Sequence, residues 1–267
     1  MRLEANEDYF MLKRLFFIFL SGIIILSCGS NRPKKDLSAE ERINWAIKKF
    51  DDGDYLDAKT EFRIIVLNFP GHNVVDKAQY YLAECHFKLK EYILAIAEYE
   101  KLLRMFQNSS YRDDALYKIG LANYKLSPKY SLDQTYTLQA IEKLQQFMEE
   151  FPKSDFKAEA NEIMTRCREK LSKKEYKNGE LYRKLAFYDA AILYYESVVN
   201  NYYDTSWAKE AQYWLAECLK KEGEYEQASA EFRRYLDKYP EGKRISVVKN
   251  TLQELAEMTS NNNVKEN

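Results

Sequence analysis

The sequence predicts an all-α fold, an α-solenoid of about five helix hairpins followed by a C-terminal capping helix. The first observation behind this prediction is that the 267 residues include only 8 glycines, whereas β-rich folds and phosphate-binding loops both need many. The second is that a short pattern of aromatic and small residues recurs at a fixed spacing, which is typical of repeat architectures. The chain should therefore consist of stacked, similar helical units.

The charge balance and the hydrophobic content exclude two further classes of protein. The chain carries 41 Lys and Arg against 42 Asp and Glu, a formal net charge of −1. A nucleic-acid-binding surface needs an excess of basic residues, so no nucleic-acid partner is expected. With 46% hydrophobic and 31% charged residues, the composition is that of a globular protein and not of a disordered chain.

The repeated pattern has a Tyr-x-x-Ala core. Copies begin at Tyr55, Tyr92, Tyr188 and Tyr225, and a degenerate copy begins at Thr137. Tyr92 follows Tyr55 by 37 residues, and Tyr225 follows Tyr188 by the same interval. An aromatic residue stands fourteen positions after each start: Phe69, Phe106, Phe151, Tyr202 and Tyr239. Three of these precede a proline, which ends a helix because it cannot donate the next backbone hydrogen bond.

A small residue precedes each core by nine positions, once eight inserted residues are allowed for in the third copy: Ala46, Ala83, Gly120, Gly179 and Ala216. Small side chains on one helix let the next backbone approach closely, so the pattern predicts antiparallel helix pairs. We predict these pairs at 39–52/54–68, 74–88/91–106, 111–126/135–150, 173–186/188–202 and 207–221/224–239. The arrangement resembles the tetratricopeptide repeat, whose stacked helix pairs form a superhelix.

Two further helices are predicted outside the pairs. A helix at about 155–172 should run on into the fourth pair, because residues 155–186 contain no proline and one glycine. A capping helix over 243–258 should close the array, which needs a polar outer face at its open end. We therefore predict the solenoid over residues 39–258 and a disordered tail over 259–267.

The N-terminus has the pattern of an export signal. Lys13 and Arg14 precede an apolar run over residues 15–26, which is too short for the ~20 residues that a bilayer-spanning helix needs. A positive segment, a short apolar run and small residues before a cleavage site are typical of secretory signals. Residues 25–28, Ile-Leu-Ser-Cys, resemble the lipobox of bacterial lipoproteins, in which the cysteine carries covalent lipid. We predict a signal peptide over residues 1–27.

Lipid on Cys28 would anchor the protein to a membrane, because each buried CH₂ group contributes roughly 0.8 kcal/mol. Residues 28–38 form the predicted lipidated N-terminus and tether. The first ten residues contain three acidic side chains, which is unusual for such a signal and favours translation from Met11. No cofactor other than this covalent lipid is predicted.

Two columns of residues on the first helices are candidates for a binding surface. The column twelve residues before each core, with the eight inserted residues of the third copy left out of the count, consists of Ile43, Tyr80, Tyr117, Tyr176 and Tyr213. On the same count, the column four residues before each core consists of Asp51, Lys88, Lys125, Lys184 and Lys221. Tyrosines beside lysines suit an extended peptide, since tyrosine offers a large amphipathic area and lysine can meet carboxylates. The sequence leaves open whether these side chains bind a ligand or pack between repeats and face solvent.

No catalytic or metal-binding constellation is predicted. Cys85, Cys167 and Cys218 lack Cys-x-x-Cys spacing and suit helix interiors. His72 and His86 are the only histidines in the sequence, so no histidine–carboxylate cluster can be assembled. The protein is therefore not expected to be an enzyme.

The inserted residues fall in the stretch Ser-Pro-Lys-Tyr-Ser-Leu-Asp-Gln-Thr over 127–135. Together with the lipoprotein signal and the five repeats, this stretch resembles the BamD (YfiO) family of outer-membrane protein assembly lipoproteins, from Cys28 to about Met258. The resemblance implies a non-enzymatic component of the BAM complex, anchored by lipid to the periplasmic face of the outer membrane. Its implied partners are the POTRA domains of a BamA-type insertase and unfolded β-barrel precursors. Other lipoproteins stay open as further partners.

The resemblance also implies where each partner binds. The N-terminal repeats of the family receive precursors, whose C-terminal strand is rich in aromatic residues, and the C-terminal repeats bind the insertase. The predicted precursor contacts are Tyr80, Phe87, Lys88, Tyr117, Tyr124 and Lys125. The predicted insertase-binding residues are Tyr213, Trp214, Lys220 and Lys221.

Other functions stay open from the sequence alone. A tetratricopeptide lipoprotein that coordinates another envelope process, such as cell-wall growth, would share every repeat feature. A glycan-binding lipoprotein of the SusD type is a much longer chain, and a lytic transglycosylase needs a catalytic domain for which no residues remain.

Overall fold

Eleven α-helices follow one another in the part of the chain that the structure describes, and this part contains no strand. The structure is a computed structural model that describes residues 36–265. The predicted signal peptide, Cys28 and most of the predicted tether lie outside the described residues. Between residues 36 and 265, no helix combines the length and the apolarity needed to cross a bilayer.

The helices, numbered in chain order, are α1 (Ala39–Asp51), α2 (Tyr55–Asn68), α3 (Val75–Lys88), α4 (Tyr92–Met105), α5 (Arg112–Leu126), α6 (Thr135–Glu150), α7 (Lys157–Lys184), α8 (Tyr188–Asn201), α9 (Ala208–Lys221), α10 (Tyr225–Lys238) and α11 (Ile245–Lys265). The first ten form five hairpins, each made of a first and a second helix, and α11 follows the last hairpin. The all-α prediction and the five predicted pairs are confirmed.

Each second helix buries the same three positions. They lie three, seven and ten residues after the start of the Tyr-x-x-Ala core, so they share one face of the helix. In α4 these residues are Ala95, Tyr99 and Leu102, all fully buried, and the equivalent residues of the other four second helices are at most 1% exposed. The repeated core is thus the signature of one buried stripe.

Small residues on the first helices make the close helix contacts. A Cβ atom on Gly120 would lie 2.6 Å from the side chain of Leu144, and one on Gly179 would lie 2.9 Å from the ring of Tyr195. Both distances are shorter than carbon atoms tolerate, so these helices approach each other only because the residue lacks a side chain. The predicted close-contact positions are confirmed.

The turns inside four of the hairpins share one backbone geometry. The residue two positions before the core tyrosine has a positive φ in each: Gly53 at 86°, Lys90 at 62°, Ala186 at 60° and Gly223 at 84°. Glycine adopts this region freely, whereas a residue with a Cβ atom is strained there. The second and fourth hairpins therefore carry a strained residue where the first and fifth carry glycine.

α7 is the longest of the described helices, with 28 residues. Its first half packs on the third hairpin through Ala160, Ile163 and Cys167. Its second half pairs with α8, where Gly179 meets Tyr195. The predicted continuity into the fourth pair is confirmed.

α11 covers the end of the array and extends further than predicted. Val248 and Leu255 are fully buried in the hydrophobic cluster formed with the last two hairpins. The helix runs on to Lys265, beyond the predicted end of the capping helix at residue 258. No proline or glycine interrupts this segment, so its polar residues can continue the helix.

Candidate peptide-binding surface

The first helices line one face of the array. α1 contacts α3, α5 contacts α7, and α7 contacts α9, whereas no comparable contact joins two second helices in the described part of the chain. Helices that lie closer together mark the inner side of a curved stack. The first helices therefore line the concave face, where the predicted binding columns lie.

The predicted tyrosine column packs between successive hairpins. Each ring lies on the residue that immediately precedes the next first helix: Tyr80 on Tyr111 at 4.6 Å, Tyr117 on Phe156 at 4.7 Å, Tyr176 on Trp207 at 5.0 Å, and Tyr213 beneath the Arg244 guanidinium at 4.2 Å. Tyr117 is only 4% exposed and Tyr213 only 8%. The sequence leaves open whether these tyrosines bind a ligand or pack between repeats. In the structure they pack between repeats.

The hydroxyl groups of the column have partners as well. The Tyr117 hydroxyl donates to Glu159 Oε2 at 2.9 Å, and burial with this hydrogen bond holds the pKa of the phenol well above its usual range. Burial, followed by the Glu217 charge, raises the pKa of Tyr213 to about 12. Both phenols are structural groups, while Tyr80 keeps part of its surface accessible.

The remaining predicted precursor contacts lie at the C-terminal ends of α3 and α5. Lys88 and Lys125 are exposed, and the rings of Phe87 and Tyr124 beside them are half-buried. Lys118 Nζ lies 5.0 Å from the centre of the Phe87 ring. Lysines thus flank an accessible aromatic ring in each hairpin, which is the chemistry that an extended peptide needs.

The predicted insertase residues lie on α9. The Arg183 guanidinium stacks on Trp214, 3.7 Å from the ring centre. Lys220 Nζ lies 3.8 Å from a Glu217 carboxylate oxygen, and Lys221 is exposed. The structure brings Tyr213 and Trp214 together, with ring centres 5.0 Å apart, in a contact between two neighbouring residues.

One repeat position changes from aromatic to basic residues along the array. The residue before each lysine-column position is aromatic in the first three hairpins and basic in the last two: Phe50, Phe87, Tyr124, Arg183 and Lys220. We name this set the end row, because every member lies in the last turn of a first helix. The end row could have been found from the sequence, because its members follow the same 37-residue spacing as the repeats.

A basic surface on α7 also went unpredicted. Lys170 Nζ donates to Ser127 Oγ at 2.5 Å, and Lys174 Nζ donates to the carbonyl of Leu132 at 3.0 Å. These bonds fix the inserted loop of the third hairpin to the middle of α7. The available signal was a group of four α7 lysines within eight residues: Lys170, Lys173, Lys174 and Lys177.

The cysteines of the solenoid are buried packing residues. Burial raises the pKa of the Cys85 and Cys218 thiols to about 12 and that of Cys167 to about 11. A thiol with such a pKa is protonated at neutral pH and is a poor nucleophile. These positions serve helix packing, as the sequence indicates.

The fold and this surface define the class of protein, a tetratricopeptide-type helical repeat protein with a concave surface suited to peptides. The family model named YfiO, described as "Outer membrane lipoprotein", matches residues 35–218, and a tetratricopeptide-repeat model matches residues 210–242. The chain therefore belongs to the YfiO family of outer membrane lipoproteins. The predicted resemblance is confirmed.

Individual relatives agree with this assignment. The putative outer membrane protein assembly factor BamD of Aquifex aeolicus is 29% identical over 195 residues, which cover 70% of this chain and 63% of the relative. The outer membrane protein assembly factor BamD of Rickettsia prowazekii is 26% identical, with 81% of this chain and 87% of the relative covered. The match thus spans less than two thirds of the Aquifex protein. Both relatives are named as outer membrane protein assembly factors.

Solved structures with a similar arrangement include a tetratricopeptide repeat protein from Bacteroides fragilis. It has a TM-score of 0.46 and 11% sequence identity, and the match covers 84% of this chain and 100% of that chain.

Proposed function

We propose that this protein is a non-enzymatic scaffold of outer membrane protein assembly, which holds a β-barrel precursor on its N-terminal hairpins and a BamA-type insertase on its C-terminal hairpins. The observation that carries this proposal is the end row, which changes from aromatic to basic between the third and fourth hairpins of a YfiO-family chain. One surface therefore offers two chemistries to two partners.

The N-terminal half suits an unfolded precursor. Phe87 and Tyr124 are half-buried rings beside the exposed Lys88 and Lys125. Aromatic faces bind the apolar side chains of an extended chain, and lysines bind its carboxylates and carbonyls. Because Tyr117 is packed against Phe156, it supports this surface and leaves the direct contacts to the end row.

A photo-crosslinking amino acid at Lys88 or Lys125 tests the precursor contact in cells. Both positions are exposed on first helices, and the matched control is Arg104, an exposed residue on the second helix α4. We expect crosslinks to outer membrane β-barrel proteins from positions 88 and 125 and none from position 104. Equal capture from all three positions would contradict a specific surface.

The C-terminal half suits an acidic partner surface. Arg183 and Lys220 continue the end row, and the exposed Lys184 and Lys221 lie beside them. Charges of one sign steer a complementary partner and set its orientation. We assign this half to the POTRA domains of the insertase.

Reversing the charge of Lys220 and Lys221 tests this assignment. The double variant Lys220→Glu/Lys221→Glu should lower the amount of insertase that co-purifies with the tagged protein. The control is Lys238→Glu, an exposed lysine at the end of the second helix α10. Normal insertase recovery with the double variant would remove the support for this half as the binding region.

The proposed location is the periplasmic face of the outer membrane, with lipid on Cys28 as the anchor. The support is the family description as an outer membrane lipoprotein and the sequence around Cys28. A Cys28→Ser variant should lose incorporation of labelled palmitate and leave the membrane fraction. Retention of both properties would refute the anchor.

The whole proposal is tested by purifying the tagged, lipidated protein from membranes in mild detergent. Mass spectrometry should find a barrel insertase with POTRA domains at near-equal amounts. Recovery of cell-wall synthases in its place would overturn the proposed function and leave the fold unchanged.

A further inference from the structure

A cavity of about 550 Å³ lies where the inserted loop of the third hairpin crosses the middle of α7. This volume falls in the range of ~300–1,000 Å³ that is typical of ligand pockets. Its walls come from the loop, from α7 and from the residue before α9: Lys129, Tyr130, Ser131, Glu169, Lys170, Lys173 and Trp207. We call it the loop cavity. It lies outside the two contact regions described above.

Two lysines of the α7 wall, Lys170 and Lys173, belong to a larger basic patch on this helix. Lys173 and Lys174 each lie three or four residues from Lys170 and from Lys177, so the four α7 lysines form one patch on the helix. Like charges at this spacing repel each other and destabilise a helix. An anion bound at this patch would remove the repulsion.

Three of these lysines already have acceptors. Lys170 and Lys174 hold the inserted loop, and Lys177 Nζ lies 2.8 Å from a Glu180 carboxylate oxygen. Lys173 forms no ion pair with a carboxylate in the described part of the chain. Its Nζ lies instead 4.6 Å from the centre of the Tyr130 ring and 5.6 Å from that of Trp207.

The one carboxylate in the wall, Glu169, has other partners. Its Oε1 accepts from the Ser206 backbone N–H at 2.6 Å, and its Oε2 accepts from the Ser206 hydroxyl at 2.8 Å. It therefore fixes the approach to α9, and no ion pair joins it to Lys173 in the part of the chain that the structure describes. The loop cavity presents a lysine ammonium between two aromatic rings.

We propose that the loop cavity binds a carboxylate side chain of an extended polypeptide together with the apolar or aromatic residue next to it. Lys173 and Lys129 receive the carboxylate, and Tyr130 and Trp207 receive the apolar neighbour. The Lys173 ammonium can bind a carboxylate and keep its contacts with the rings of Tyr130 and Trp207.

A peptide is favoured because the loop cavity adjoins the end row. Lys170 lines the cavity, and its Nζ also lies 5.5 Å from the centre of the Tyr124 ring. A chain bound along Phe87 and Tyr124 therefore arrives at Lys170 and can continue into the cavity. This inference rests on the proposed function, since it gives the bound precursor a second, carboxylate-specific contact.

Two labelled peptides test the proposal with the full-length protein. One has the sequence Gly-Tyr-Glu-Tyr-Gly with blocked ends, and the other replaces Glu with Gln. Fluorescence anisotropy at low salt should show about tenfold tighter binding of the Glu peptide, which corresponds to the roughly 1.4 kcal/mol expected of one charged contact. Added salt should reduce this difference because it screens exposed charges.

Matched variants locate the binding. Lys173→Gln should bring the affinity for the Glu peptide down to that for the Gln peptide. Lys157→Gln, an exposed lysine on the same helix, should leave both affinities unchanged. Tyr130→Ala should weaken both peptides, whereas Tyr203→Ala, which removes an exposed ring elsewhere, should weaken neither. Thermal unfolding of each variant confirms that it is folded.

Two results would overturn the inference. In the first, Lys173→Gln and Lys157→Gln bind the Glu peptide equally well. In the second, vesicles containing phosphatidylglycerol bind in a manner that depends on Lys173 while the peptides do not, which would assign the cavity to lipid headgroups. Insertase co-purification and crosslinks from Lys88 would persist in either case, so the proposed function is judged separately.

Discussion

The ring of Phe156 stacks on that of Tyr117, with ring centres 4.7 Å apart and planes inclined by 6°. Tyr80 and Tyr111 make the same contact one hairpin earlier, at 4.6 Å. Phe156 directly precedes α7, as Tyr111 directly precedes α5. α7 therefore begins as the other first helices do. Its additional residues lie C-terminal to the part that packs on the third hairpin.

Removing the Tyr117 ring should destabilise this junction. Tyr117→Ala deletes a buried aromatic side chain, and such changes cost about 3–5 kcal/mol of unfolding free energy. Tyr117→Phe keeps the stack and removes the bond to Glu159, for an expected loss of about 1 kcal/mol. Urea unfolding measures both values. Equal losses for the two variants would show that the stack contributes little.

Gly179 should not accept a side chain. An alanine Cβ would lie 2.9 Å from the fully buried ring of Tyr195, and overpacking of this kind costs about 1–3 kcal/mol. The gain in helix propensity offsets roughly 1 kcal/mol of that cost, so Gly179→Ala should lower stability by about 1 kcal/mol. Asn178→Ala is the neighbouring control and should not lower it. Thermal unfolding distinguishes the two.

Exchanging glycine and alanine between two equivalent turns should have opposite effects. Gly223→Ala places a Cβ atom at a φ of 84°, at an expected cost of about 1 kcal/mol. Ala186→Gly relieves the strain at a φ of 60° but adds backbone entropy to the unfolded chain, for a net gain of about 0.5 kcal/mol. A loss of stability in both variants would contradict the strain argument.

The three described thiols should react slowly in the folded protein. Only the thiolate is nucleophilic, and burial raises the pKa of Cys85 and Cys218 to about 12, so the thiolate fraction at pH 8 is about 10⁻⁴. Reactivity should rise steadily with pH up to this pKa. In a Cys28→Ser variant, a disulfide exchange reagent at pH 8 should titrate the thiols only after denaturation. Rapid reaction of the native variant would contradict their burial.

The positions of the helices follow closely from the sequence because the signals are local. The Tyr-x-x-Ala core marks the buried stripe of each second helix, and Gly120 and Gly179 mark the close crossings, whatever lies elsewhere in the chain. The continuity of α7 also follows locally, since nothing in the segment breaks a helix.

The candidate surface was less predictable because it depends on contacts between hairpins. The sequence around Tyr117 does not distinguish a buried tyrosine from one that is accessible in a groove. Its ring is covered by Phe156, which belongs to the next repeat unit. The loop cavity depends on Lys170 and Lys174 reaching back more than 40 residues to Ser127 and Leu132. Sequence spacing identifies a column of lysines but not the distant backbone that each one binds.

α7 also relates the two halves of the protein to each other. Its 28 residues extend about 42 Å, at 1.5 Å per residue, without a turn or a loop. The number of residues in α7 therefore sets the separation between the third hairpin, on which its first half packs, and the fourth hairpin, which its second half forms. Inserting one residue into the middle of α7 would rotate one half of the helix about its axis by about 100° relative to the other half. Inserting four residues would nearly restore the original orientation of the two halves and lengthen the helix by about 6 Å.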